Sequence, residues 1–481
     1  MRRTNINYPP VPKALKRLRP IVVLKYFGPG AIIASIGIGS GETVFASRGG
    51  AMFGYTLLWA WVLGALLKWA QVYSAARYMT LTGEHPIERW AFLPGPRKWF
   101  PLLIGVSALL TFPFWMGGLA GMLGTLCAWI TGVGDKLTWG LPFLLIVIVI
   151  AVFESYGVLE LVEKIIIGIL ISCILVAAVA SRPDILAMLK GALVPIVPSG
   201  YESWVSSKYP TVAERHIWIE LITYFGLLGG GSHDYLGYLG TFREKFWGAL
   251  SLPAVREQGR SVWGGHTSLF PAPLLPAAKT QVRLGRLWLR APFMDSFVSF
   301  ACVLIFTIAF AVLGATMLRP QQLIPNGVDL FEYQAQFLSG LHASLLYVYQ
   351  VGLFFVFFGT LYAVLSIFAR TAFELFRVLT PRVVSLKNVR NPVIAYAGGG
   401  GILILLTGWD PVAVITPASI IGGVLGCGLW SLGMVWCDRN CLPQDYRMGR
   451  GLTILVWCAG VMFTGIGLFT LVQWIARFLQ L

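Results

Sequence analysis

Ala34-Ser35-Ile36-Gly37-Ile38-Gly39-Ser40-Gly41-Glu42 and Leu228-Gly229-Gly230-Gly231-Ser232-His233-Asp234 are the two stretches that decide how this chain is read. Each lies in an apolar run long enough to cross a bilayer, and each sets glycine and serine beside an ionisable residue. Glycine weakens a helix, and unpaired backbone is tolerated at membrane depth only where it lines a cavity or is buried in protein. Two such breaks at corresponding places in two halves of a chain predict a transporter that holds its substrate near the bilayer midplane.

The surrounding composition agrees. Of 481 residues, 57% are hydrophobic and 12% charged, and the mean hydropathy is +0.73, too apolar for a soluble domain of this size. Apolar runs predict eleven spans, at roughly 25–47, 52–79, 100–130, 139–156, 158–180, 216–242, 292–318, 342–369, 392–408, 412–436 and 452–475. Five spans, a polar link, five more and a last one read as two five-helix repeats and a trailing helix. An odd number of spans per repeat inverts the second relative to the first. The expected fold is therefore all-α and membrane-embedded, an eleven-helix inverted repeat with helices one and six discontinuous. Its parts are an N-terminal segment (1–24), a first repeat (25–180), an external loop (181–215), a second repeat (216–437) with a basic, irregular and partly mobile link (243–291), and an eleventh helix (452–475).

The net charge of +16 does not point to nucleic acid, because the basic residues alternate between loops. Residues 1–25 hold Arg2, Arg3, Lys13, Lys16, Arg17, Arg19 and Lys25 with no acid, and the link 243–290 holds eight Lys or Arg against Glu244 and Glu257. Arg370, Arg377, Arg382, Lys387 and Arg390, then Arg439, Arg447 and Arg450, fall on the same side. The positive-inside rule places that side in the cytoplasm and Leu481 outside. A cell membrane of the bacterial inner type and a monomer are expected. The N-terminus carries prolines and charges and does not read as a cleaved signal. Seven scattered cysteines make no paired metal-ligand spacing, and Cys437 and Cys441 read as small apolar residues near a membrane end.

The site candidates follow from cost. Glu42 is the only acid in the first 83 residues, and an intramembrane carboxylate is a functional hypothesis by default; the plain alternative is that it caps a half-helix beginning at Thr43. His233 and Asp234 follow the second break, beside its three glycines. If the breaks face each other, Glu42, His233, Asp234, the hydroxyls of Ser40 and Ser232, and carbonyls freed near Gly39 and Gly231 would surround a divalent cation, oxygen with one imidazole suiting Mn²⁺, Fe²⁺ or Mg²⁺. Gly37, Gly41, Gly229 and Gly230 would be hinges. Lys68 reads as a snorkelling lysine or a carboxylate partner. Span three has no acid or base, which argues against a proton wire. Trp59, Trp61, Trp90, Trp99 and Trp139 and the Trp409-Asp410-Pro411 turn read as interface features. No nucleotide loop or catalytic triad is present in the sequence, so neither an enzyme nor an ATP-driven pump is expected, and no cofactor beyond the transported ion.

The stretch from Phe27-Gly28-Pro29-Gly30 to Glu42, then Phe53-Gly54-Tyr55-Thr56-Leu57-Leu58-Trp59, Thr82-Gly83, Gly157-Val158-Leu159-Glu160-Leu161-Val162-Glu163-Lys164 and the surroundings of His233 resemble the Nramp family of divalent-metal transporters, which is similar in fold to the leucine transporter. The resemblance implies metal ligands in helices one and six. Where the family has Asp-Pro-Gly-Asn, however, this chain has Gly39-Ser40-Gly41-Glu42, and where it has Met-Pro-His, Gly231-Ser232-His233. The Asp and Met ligands are thus glycine, Glu42 replaces the Asn, and His233 is kept. Loss of the thioether weakens preference for transition metals over hard cations. The family's acids of helix three are also absent. Transport of a divalent cation is the leading expectation; a small anion such as bicarbonate or a carboxylate, or a non-transporting membrane protein, are the alternatives.

Overall fold

The computed structural model describes residues 7–16, 28–153, 157–214, 216–253, 255, 275–380 and 385–480. Among these there is no strand, and helices stand at all eleven expected positions. Eight are long and apolar enough to cross a membrane as they stand, or nine if the bent pair Gly168–Ala180 and Ile185–Leu193 counts as one span. Span two, Leu58–Thr82, falls below that threshold because it carries Lys68, Gln71 and Arg77. Span six does so because it is broken.

Chain punctuation explains the helix ends. Pro29 opens span one at a position that needs no N–H. Gly83 and Gly132 close spans two and three with φ of 72° and 68°, the left-handed conformation that only glycine adopts without strain. The Asp410 carboxylate caps span ten by accepting from Ala413 N–H at 3.0 Å, which accounts for the Trp-Asp-Pro turn. Trp61 and Trp90 are buried in the core, unlike the interface anchors expected of them.

Burial separates centre from rim. Span one is 81% buried over its most apolar window, whereas span four, Lys136–Phe153, is 22% buried and span eleven 28%. Span one packs on span six, on span seven (Arg290–Leu313) and on span eight (Leu345–Leu379). Leu110, Val149, Val179, Leu403 and Val472 point outward from the rim as a lipid face. The segment 181–215 carries short helices, and Ile185–Leu193 lies against span two. In the link 243–291, expected to be irregular and partly mobile, residues 254 and 256–274 lie outside the described residues; Lys279–Trp288 forms a helix.

Candidate functional site at the span six break

The two decisive stretches behave differently. Span six is interrupted as expected: Ile217–Leu227 ends, Ser232–Thr241 begins, and Gly229 and Gly230 between them take φ of 65° and 87°. Gly231 is extended. Span one is not interrupted. Pro29–Gly37 runs into a π-helix at Ile38–Ala46 and on into Ser47–Phe53. The expected discontinuity of helix one, and with it the half-helix cap at Glu42, is therefore corrected: Gly39, Ser40 and Gly41 widen the helix without breaking it. Close packing is one physical reason for glycine there, since a Cβ on Gly39 would collide with the Thr360 hydroxyl. π-Segments of this kind occur frequently at functional sites.

The stretches do face each other. A Cβ on Gly37 would stand 3.3 Å from the Gly229 Cα, and Gly229 N–H donates to Glu42 Oε1 at 2.8 Å. Glu42 of span one thus caps the break in span six. Asp234 caps it from the other side, accepting from Gly231 N–H at 2.8 Å, a carboxylate reaching back to the start of its own helix. The freed carbonyls are also met. Lys68 Nζ donates to Gly226 O at 2.8 Å and Gly230 O at 2.7 Å, and the Tyr235 hydroxyl lies 3.1 Å from both Gly229 O and Gly230 O. Lys68 is fully buried; it neither snorkels nor hydrogen-bonds a carboxylate.

His233 is 1% exposed, its Nε2 3.3 Å from Asp234 Oδ2. Trp115 and Phe368 frame the imidazole with ring centroids at 5.8 and 5.6 Å. The Thr371 hydroxyl donates to the His233 carbonyl. Gly422, in another π-segment at Ser419–Leu425, leaves room for the ring, because a Cβ there would strike His233 Nδ1. The Ser232 hydroxyl donates to Gly422 O at 3.2 Å. The Ser40 side chain lies outside the described residues.

On the ionisable side chains at the break, Glu42 Oε2, His233 Nδ1 and Asp234 Oδ1 are buried without a hydrogen-bond partner among the described residues. Buried polar atoms are rarely left so, and each calls for an explanation such as an ion or water. Among the described residues no three His, Cys, Asp or Glu side chains converge on one metal-sized position. In this conformation a cation would therefore be completed by backbone oxygen or water, as a hard ion prefers.

Sequence reasoning passed over the buried groups that hold spans one and six together beyond the break. Arg48 Nη2 meets Glu220 Oε1 at 2.6 Å and Nη1 donates to Asn326 Oδ1 at 2.8 Å. At the opposite end Asp295 Oδ1 accepts from Gly28 and Gly30 N–H at 2.8 and 3.0 Å, and Oδ2 from the Tyr238 hydroxyl at 2.7 Å. Arg48 and Glu220 were visible as ionisable residues in apolar runs; their pairing was not.

The relationships of the chain match this geometry. Residues 30–241 match the model of the natural resistance-associated macrophage protein-like (Nramp) family. No curated protein matches the sequence significantly. The fold is similar to the Eremococcus coleocola manganese transporter in complex with an aromatic bis-isothiourea compound, at 13% identity over 98% of this chain and 90% of that one, TM-score 0.66. A point mutant of that transporter gives 14% identity over 98% and 91%, TM-score 0.65. Mhp1, a nucleobase-cation-symport-1 family transporter, gives 14% identity over 94% and 92%, TM-score 0.51. The chain is thus Nramp-like in sequence over residues 30–241, and over nearly its whole length it has the Nramp, leucine-transporter-type fold.

Proposed function

We propose that the chain is a secondary transporter or facilitator that moves a divalent metal cation of the Mn, Fe and Mg class by alternating access, and that it performs no covalent chemistry. The observation that carries this reading is the set of buried, unpartnered atoms at the break, Glu42 Oε2, His233 Nδ1 and Asp234 Oδ1. Two carboxylate oxygens and an imidazole nitrogen are Lewis bases suited to such ions, and no thioether accompanies them to favour softer metals. Buried polar clamps stand on either side of the break, Arg48 with Glu220 and Asp295 with Tyr238. Opening one clamp at a time would expose the break alternately, with Gly229 and Gly230 as the hinge. Span three, Trp99–Thr131, supplies no carboxylate or base, so proton coupling is weak unless His233 carries it. The loop charges support an N-terminus in the cytoplasm of a bacterial inner-type membrane and a C-terminus outside, and a monomer suffices for the site.

Flux into proteoliposomes of Mn²⁺, Mg²⁺ and bicarbonate, with and without a pH gradient, tests the reading. Saturable cation uptake that persists without a gradient is expected. Robust lumenal acidification that tracks uptake and survives His233→Ala would remove the weak-coupling element. One observation favours a second reading: the buried Lys68 ammonium puts positive charge at the break, which suits a small anion. Bicarbonate uptake in place of cation uptake would establish it.

A further inference from the structure

A break in a buried helix frees carbonyl oxygens that must be satisfied in the absence of bulk water. In transporters with discontinuous helices, such carbonyls coordinate Na⁺ or a proton-bearing group. Here two carbonyls at the break, Gly226 O in the last turn of the first half-helix and Gly230 O within the break, are both held by Lys68 Nζ at 2.8 and 2.7 Å. Lys68 comes from the middle of span two, which packs on both halves of span six. An ammonium is a compact point charge with three donors on a flexible stem, close to a monovalent ion in its demands. The acidic side chains that cap the same break, Glu42 and Asp234, lie within electrostatic reach of it.

We propose that Lys68 is a tethered cation: its ammonium holds the carbonyl site at the span six break that a diffusible monovalent ion would otherwise fill, so the protein needs no Na⁺ or K⁺ to keep the break ordered. This inference holds whichever substrate the pathway carries, and its thermal readout does not use substrate flux. The experiment measures thermal unfolding of the purified protein in choline chloride, and after replacement by NaCl, KCl or NH₄Cl at constant ionic strength, for the wild type and Lys68→Ala. The wild type is expected to be indifferent to the salt. Lys68→Ala is expected to unfold at lower temperature in choline and to recover saturably with at least one small cation, by about 1–2 °C at tenfold excess over its Kd. A Lys68→Ala protein that responds to none of the three cations overturns the proposal. So does a wild type with a saturable Na⁺ or K⁺ response, an arm that needs no variant to fold.

Discussion

Residues 37–42 and 228–234 carry nearly the same letters and fold in different ways: the first widens into a π-helix, the second comes apart. Glycine content did not decide between them. What differs is whether partners exist for the groups a break would free. Around span six, Glu42 and Asp234 take the N–H groups of Gly229 and Gly231, while Lys68 and Tyr235 take the carbonyls. Span one keeps a continuous helical path, and its glycines serve close approach, to Thr360 at Gly39 and to span six at Gly37. A helix opens at membrane depth where its neighbours can answer the lost hydrogen bonds.

The largest expected effect tests what holds the two stretches together. Arg48→Met removes the guanidinium that meets the buried Glu220 carboxylate at 2.6 Å and is expected to destabilise by about 3–5 kcal/mol in detergent unfolding. Adding Glu220→Gln should recover most of that loss. If the double variant is as unstable as the single one, Arg48 matters for packing and not for the pair.

A smaller effect separates the break from the wide helix. Gly230→Ala forces an L side chain to φ of 87°, costing about 1–2 kcal/mol. Gly37→Ala keeps helical backbone and gains about 1 kcal/mol of helix preference, set against a tight contact with Val303 Cγ2 at 3.0 Å. Its net change should be the smaller of the two, as read by unfolding midpoints. The reverse order would break the contrast between a strained hinge and an unstrained helix.

The smallest effect concerns the cap. Asp234→Asn keeps an acceptor for Gly231 N–H but removes negative charge from a helix start, a loss of about 0.5 kcal/mol. A loss of several kcal/mol would mean that the charge also balances Lys68.

Much of this was legible in the sequence. Apolar run lengths and loop charges outline the spans, since hydropathy and burial follow the same residues. The span six break was legible because three consecutive glycines precede a polar helix start. The continuity of span one was not, because Gly39-Ser40-Gly41 permits both a break and a widened helix, and packing against span eight settles which forms. The partners of Lys68 are 158 and 162 residues away, and backbone carbonyls leave no mark in a sequence. The same distance hid the pairing of Arg48 with Glu220. Glu42 stood out on cost alone, but its role as the cap of another span depends on how the two halves meet.

Glu42 is where the account is most exposed, and Glu42→Gln in proteoliposomes tests it directly. The amide oxygen can still accept from Gly229 N–H, so thermal stability should stay within about 1 kcal/mol of wild type. Mn²⁺ and Mg²⁺ flux should fall by roughly tenfold or more at every pH, because the charge that compensates the ion's lost hydration is gone. Unchanged cation uptake by a folded Glu42→Gln protein, or bicarbonate flux that persists or rises, would contradict the cation pathway.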